Sequence, residues 1–270
     1  LLKALHPEFA EQSPLIPEQG KQGLVMIFGD QVVKMPFEEW GKKVLSVEAD
    51  TLTQLEARRI GTSIPQVIHY DTEHHILITS RVPGTPVTAE TFHTMSSSEL
   101  ASVGQQIGQF LLEMHQFENF SHARDASLAP YYRDVASLCD DPEVCLKAGL
   151  HLRDIEHVRA YLLNQSSLND QIRFLHTDVG YGNVLYDTKS RSVSVIDFGG
   201  CRADFRHKDF VKMGDDFPEI VQTSCISTYN SKAEHPLDID MINVSRLAIR
   251  LCKARENGVR PFEKNTPQPN

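Results

Sequence analysis

The 270-residue chain is 40% apolar, long enough for one large domain or two modest lobes with cores of their own, which excludes disorder throughout. A formal net charge of −9 without a basic tract argues against a nucleic-acid partner, and apolar runs such as "LVMIF" from 24 fall far short of the roughly 20 residues of a membrane span. The cysteines, Cys139, Cys145, Cys201, Cys225 and Cys252, are odd in number and form no C-x-x-C pair, which argues against a disulfide framework or a zinc site and fits a cytoplasmic protein.

The chain opens on Leu1 rather than Met, so residues are expected to precede it, and no charged-then-apolar signal segment starts it. From 24 to 35, "LVMIFGDQVVKM" reads as two strands around Gly29-Asp30, a two-residue loop with Gly first that suits a type II′ hairpin and places Lys34 on the second strand. Residues 38–58 carry Val44, Leu45, Leu52 and Leu55 near helical spacing, with Glu48 among them. After "SIP", the runs "QVIHY" and "HHILITS" form a second hairpin around "DTEH". The result is a small ββαββ sheet with one helix.

"RVPGTPV", 81–87, is the expected boundary between two lobes. In 96–117, Leu100, Val103, Ile107, Phe110, Leu111 and Met114 form the core stripe of a helix that Ser97 or Ser98 can cap. Helices with irregular links are expected over 120–170, and short strands "IRFLH", "NVLYD" and "SVSVIDF" over 172–198 with a turn at "TKSR". Helical patterns return from about 205 to 257, and the Pro-rich end reads as a disordered tail. The division expected is 1–81, 82–260 and a tail of 261–270.

His176, Asp178, Asn183 and Asp197 stand at the ends of apparently buried strands. A curled loop aims Asp178 and Asn183 into one cleft, and Asp197 ends a neighbouring strand facing the same place. Two carboxylates and a carboxamide are hard oxygen donors suited to Mg²⁺, which completes its shell with waters and substrate phosphates. Lys34 is placed to neutralise those phosphates from the other side. Glu48 can hold it extended, with Glu38, Glu39 and Glu56 as competitors for that role.

The pattern H-x-D-x-x-x-x-N at 176–183, followed by I-D-F-G at 196–199, resembles the catalytic and metal-binding loops of protein kinases and aminoglycoside phosphotransferases. Thr177 replaces the Arg of the protein-kinase H-R-D triplet and no A-P-E segment follows, which favours the small-molecule branch. "VVKMP", "SIPQVIHY", "FHTMSSSELASVGQQIGQFLLEMHQF" and "KDFVKMGDDF" are further landmarks, most similar to the 2″-phosphotransferase group, over about 18–257.

The resemblance implies an α+β, bilobal protein-kinase-like fold, with a small sheet-and-helix lobe and a larger, mainly helical one. It implies that Asp178 takes or orients the proton of the attacking hydroxyl, that Asn183 and Asp197 hold Mg²⁺, and that Lys34, steadied by Glu48, contacts the phosphates of ATP or GTP. Backbone groups at Ser80, Arg81 and Val82 would meet the purine, and the loop 18–23 would cover the phosphates. His176 and Asp209 would brace the catalytic loop; Asp204 is assigned no role. Asp215, Asp216 and Glu219 stand where related enzymes bind the ammonium groups of aminoglycosides, although a solvated helix start explains them as well. The segment 242–257 is a further candidate to line that cleft. The function implied is phosphoryl transfer to an aminoglycoside by a monomer, conferring resistance. The alternatives are a metabolic kinase acting on a sugar, amino alcohol or macrolide, and a nucleotide-binding module without turnover.

Overall fold

The computed structural model describes residues 6–17, 23–117, 135–163 and 172–259. Apart from Gly23, the expected phosphate-covering loop lies outside the described residues, as do the tail from 261 and much of 120–170.

Strands β1 (Gly23–Phe28) and β2 (Gln31–Pro36) pair with Phe28 opposite Gln31. The two-residue turn needs a left-handed backbone at Gly29, whose φ is 60°. Helix α1 (Glu39–Arg58) follows, then β3 (Val67–Asp71) and β4 (Ile76–Ser80), giving an antiparallel sheet of order β1-β2-β4-β3. Alternate residues of β4 serve opposite faces. Ile76 and Ile78 join Met26, Phe28, Val33 and Phe9 in one cluster, whereas Leu77 packs with Leu45 and Ala49 of α1. Lys34 lies opposite Leu77 in the register, so its side chain is delivered to the face that α1 covers. On α1, Glu48 is flanked one turn either side by Val44 and Leu52, which puts it on the buried stripe and leaves Glu38, Glu39 and Glu56 exposed.

Short strand β5 (Thr85–Pro86) leads to α2 (Ala89–Thr94) and α3 (Ser97–His115). The cap of α3 is Ser96, not Ser97 or Ser98: its hydroxyl accepts the Glu99 N–H while the Glu99 carboxylate takes the Ser96 N–H, a capping box that needs Glu three residues after the cap. Val103, Ile107, Phe110, Leu111 and Met114 are fully buried, as the stripe predicts. Helices α4 (Pro142–Lys147) and α5 (Leu152–Leu163) come next.

Strands β6 (Ile172–Leu175), β7 (Val184–Asp187), β8 (Ser192–Val195) and β9 (Arg202–Phe205) precede α6 (Lys208–Asp216), α7 (Glu219–Lys232) and α8 (Ile239–Val259). β7 and β8 form the expected hairpin, with β5 beside β7. β6 pairs instead with β9, a strand of four residues, too short for its alternation of charged and apolar residues to stand out in the sequence. Helices α3 and α7 meet backbone to backbone: a Cβ on Gly104 would stand 2.3 Å from the Val221 carbonyl oxygen, and one on Gly108 2.4 Å from that of Cys225. The core there is continuous with Leu52 and Leu55 of α1. A second cluster joins α4, α5 and Phe205 to the Ala248, Leu251 and Ala254 face of α8. All five cysteines are unbridged, and among the described residues no helix is long and apolar enough to cross a membrane.

Candidate active site

The loop between β6 and β7 turns on His176, which is fully buried. Its Nδ1 accepts the Asp178 N–H at 3.3 Å and its Nε2 lies 3.0 Å from the Ile196 carbonyl oxygen, an arrangement met by the tautomer with the proton on Nε2. The ring also packs edge-on against Phe198 at 4.8 Å between centroids. One imidazole thus ties the loop between β6 and β7 to the I-D-F-G segment.

Thr177 has φ 74°, a left-handed backbone that a β-branched residue adopts only when its surroundings hold it there. Its hydroxyl donates to the Gly200 carbonyl at 3.0 Å. The main restraint is Asp209, 1% exposed in the first turn of α6. Its carboxylate accepts the N–H groups of Thr177 at 2.6 Å and His176 at 3.0 Å, and lies 3.1 Å from Nε2 of His115 on α3. Nδ1 of His115 in turn lies 2.9 Å from the Tyr229 hydroxyl. Burial pushes the His115 pKa below its ordinary value even though Asp209 pulls it the other way.

Both oxygens of Asp178 are engaged. The Asn183 side-chain amide donates to Oδ2 at 2.8 Å and to the Asp178 carbonyl at 3.0 Å. Lys212 on α6 donates its ammonium to Oδ1. Because the Asn183 nitrogen is committed to Asp178, its carboxamide oxygen is the atom left for another partner. The Ile196 N–H binds the Asn183 carbonyl at 2.9 Å, which brings Asp197 alongside the loop that carries Asp178. Asp197 takes a left-handed backbone, φ 67° and ψ 69°.

Across the cleft, the Lys34 ammonium donates to both oxygens of Glu48, at 2.6 and 2.8 Å, and Glu48 is 1% exposed. Burial alone would lower the Lys34 pKa, but the carboxylates of Glu48 and Asp197 outweigh it and raise the pKa, which sets Asp197 within electrostatic reach of Lys34. At the residues expected to meet the purine, the Ser80 N–H binds the Gln66 carbonyl at 2.8 Å, the Arg81 N–H binds the Asp30 carbonyl at 2.7 Å, and Val82 is buried.

The acidic group 215–219 is dispersed. Asp215 pairs with Arg246 of α8 at 3.1 Å, Asp216 accepts the Tyr181 N–H at 3.1 Å, and Glu219 is exposed at the start of α7. Asp204 is buried and pairs with Lys208 at 2.8 Å. Lys212 was not singled out from the sequence. The available signal was its spacing, i+3 from Asp209 and i−4 from Asp216, which puts all three on one face of a helix.

A profile described as a phosphotransferase enzyme family matches residues 27–240. No match is found among curated proteins. Among solved structures, the ADP-bound aminoglycoside phosphotransferase APH(2″)-Ib is 19% identical with a TM-score of 0.69, over 98% of this chain and 91% of that one. The GDP complex of aminoglycoside 2′-phosphotransferase-IIIa is 15% identical with a TM-score of 0.73, over 97% and 91%. Macrolide 2′-phosphotransferase MphH from Brachybacterium faecium is 15% identical with a TM-score of 0.66, over 100% and 99%. The shared architecture is the kinase-like fold expected from the sequence.

Proposed function

Because this chain belongs to the phosphotransferase enzyme family, we propose that it moves the γ-phosphate of ATP or GTP to a hydroxyl of an aminoglycoside, and so confers resistance. The observation that carries this reading is the meeting of Asp178, bound to Asn183, with Asp197 and the Lys34–Glu48 pair around one cleft. The acceptor oxygen attacks the γ-phosphorus, the bond from that phosphorus to the β–γ bridging oxygen breaks, and the hydroxyl proton passes to Asp178. A phosphate ester and a nucleoside diphosphate result. In such a loose transition state most of the work is positioning and charge neutralisation.

The Asn183 carboxamide oxygen and the Asp197 carboxylate are hard donors on adjoining segments, so the residues fit Mg²⁺, which would neutralise the phosphates when bound. Lys34 contacts the phosphates from the sheet side, held extended by Glu48. With the Ser80 and Arg81 amides already used, the purine contact falls to the Val82 amide and to the carbonyls of 80–82. The division proposed is a nucleotide-binding lobe to residue 81 and a catalytic and acceptor lobe over 82–260, acting as a cytoplasmic monomer.

Asp215, Asp216 and Glu219 are the proposed sites for the acceptor's ammonium groups. Asp216 also holds the Tyr181 amide, so Asp216→Asn is expected to lower kcat as well as raise the acceptor KM, whereas Asp215→Asn raises KM alone. A macrolide acceptor is the second reading, favoured by the match to the macrolide enzyme over the full chain.

The test is nucleotide consumption with ATP and with GTP against kanamycin, gentamicin, a macrolide and neutral hydroxylated metabolites, for wild type and Asp178→Ala. Turnover on an aminoglycoside, lowered about 10²-fold to 10⁴-fold in the variant, is the expected result. Turnover on a macrolide or metabolite alone overturns the aminoglycoside assignment. Near-normal turnover in the variant removes Asp178 from the chemistry.

A further inference from the structure

Helix α6 touches the catalytic loop at three points on one face. Asp209 and Asp216 bind backbone N–H groups, at 176 and 177 and at 181. Lys212, between them, binds a side chain instead: the carboxylate of Asp178. The loop passes directly against it: a Cβ at residue 180 would stand 2.7 Å from Lys212 Cε and 2.4 Å from the Asp216 carboxylate.

The two side chains are 41% and 43% exposed, so the pair borders the cleft rather than the core. An ion pair so exposed adds little to stability, which leaves the arrangement without a structural reason. The chemistry supplies one. Asp178 must approach a hydroxyl that is itself closing on the γ-phosphorus, which sets a carboxylate against phosphoryl oxygens of the same sign. An ammonium on Oδ1 offsets that repulsion, and with Asn183 on Oδ2 it fixes the rotamer. Each carboxylate oxygen has a second lone pair, so the hydroxyl can still be received.

We propose that Lys212 is a positioning residue for phosphoryl transfer, which clamps Asp178 and offsets its charge against the transferred phosphoryl group. The inference rests on the reading of Asp178 given above. Because the lysine belongs to α6 and not to the loop, the helix that anchors the loop backbone also sets the electrostatics of its reacting carboxylate.

The experiment compares wild type, Lys212→Met, Lys212→Arg, Asp178→Asn and the Lys212→Met/Asp178→Asn double variant. Both transfer to the acceptor panel and acceptor-independent hydrolysis of Mg-ATP and Mg-GTP are measured. Lys212→Met is expected to lower kcat about 10²-fold with the nucleotide KM changed less than about 2-fold, and Lys212→Arg to recover about tenfold of the loss. In the Asp178→Asn background the same change is expected to cost less than about 3-fold, since the residue acts through Asp178. An unchanged kcat in Lys212→Met, losses that multiply in the double variant, or no recovery by Arg overturns the proposal.

The melting temperature, expected within about 2 °C of wild type for so exposed a side chain, separates this from misfolding. Lys212→Gln serves if the Met variant does not fold. If Asp178→Asn keeps full turnover, the reading of Asp178 fails and takes the clamp with it. Loss in Asp178→Asn with Lys212→Met unaffected overturns the clamp alone. Hydrolysis without transfer to any acceptor overturns the acceptor class while Lys212 is still judged on hydrolysis, and a wild type that does neither overturns both.

Discussion

Asp209 is where the loop between β6 and β7 is held, and removing it gives the sharpest test of the fold's logic. Its carboxylate, 1% exposed, gathers the His176 N–H, the Thr177 N–H and Nε2 of His115. Hydrogen bonds to a charged group contribute roughly 1.5–3 kcal/mol each, so three sum to roughly 5–9 kcal/mol before relaxation or entering water offsets part of it. Asp209→Ala is therefore expected to cost about 4 kcal/mol. Asp209→Asn keeps the shape but turns an NH₂ group toward at least one of the three donors, and is expected to cost about 2–3 kcal/mol. At about 2–4 °C per kcal/mol for a chain of this size, the Ala variant should melt about 8–16 °C lower. Thermal and urea unfolding followed by circular dichroism measure this, and nucleotide turnover in the folded Asn variant should also fall because Asp178 follows the Thr177 backbone. A loss below about 1 kcal/mol in Asp209→Asn, with turnover intact, would show that the loop is held by something else.

Gly108→Ala puts a Cβ 2.4 Å from the Cys225 carbonyl oxygen, so α3 and α7 must separate; the expected cost is about 1–3 kcal/mol by urea unfolding, and an unchanged midpoint would refute the backbone contact. Burial, helped by the neighbouring Arg206, lowers the His207 pKa to about 4, and neither ring nitrogen has a hydrogen-bond partner among the described residues. A histidine with a depressed folded-state pKa leaves stability intact above its unfolded pKa of about 6.5 and removes it as pH falls toward the folded value, here about 3 kcal/mol by pH 4. His207→Asn should flatten the pH dependence of the urea midpoint over that window, and an equally steep fall in the variant would place the acid lability elsewhere. Glu48→Gln removes the hydrogen-bonded counter-charge of the mostly buried Lys34 ammonium, leaving only the more distant Asp197, and should lower stability by about 2–3 kcal/mol while raising the nucleotide KM. Lys34→Met with Glu48→Leu should restore the melting temperature without activity, and activity in that double variant would remove the pair from the site.

What could be read from the sequence was whatever local periodicity encodes. The hairpin at Gly29-Asp30 and the α3 stripe follow from turn chemistry and 3.6-residue spacing, and both are present. Glu48 was legible only as one of several acids on a helical segment, with Glu38, Glu39 and Glu56 as competitors; it is the structure, with Glu48 on the buried stripe between Val44 and Leu52 and paired with Lys34, that separates them. Strand β9 was not legible, because four residues with Phe205 as the one large apolar side chain are too short a run for a period-two signal and are fixed as a strand by pairing with β6. The partners of Asp178 divide similarly. Asn183 lies five residues away in one loop, whereas Lys212 lies 34 residues away on a helix whose face is set by tertiary packing. The acidic group 215–219 looked like one patch in a linear reading, yet helical geometry sends Asp215 to Arg246 and Asp216 to Tyr181.

The two sides of the cleft are also mechanically joined. Gly199 lies so close under α1 that a Cβ there would stand 2.3 Å from Val44 Cγ1, one turn before Glu48. Its neighbour Phe198 is fully buried against the His176 ring, and His176 is bonded through its backbone to Asp209. A shift of α1 that loosened Glu48 from Lys34 would therefore press on the segment carrying Asp197, and through Phe198 on the loop carrying Asp178. Close-packed interiors transmit such displacements rather than absorb them. The Lys34–Glu48 pair and the contact of Gly199 with Val44 thus share one helix, α1, one turn apart, so the ion pair and the segment bearing Asp197 rest on the same element.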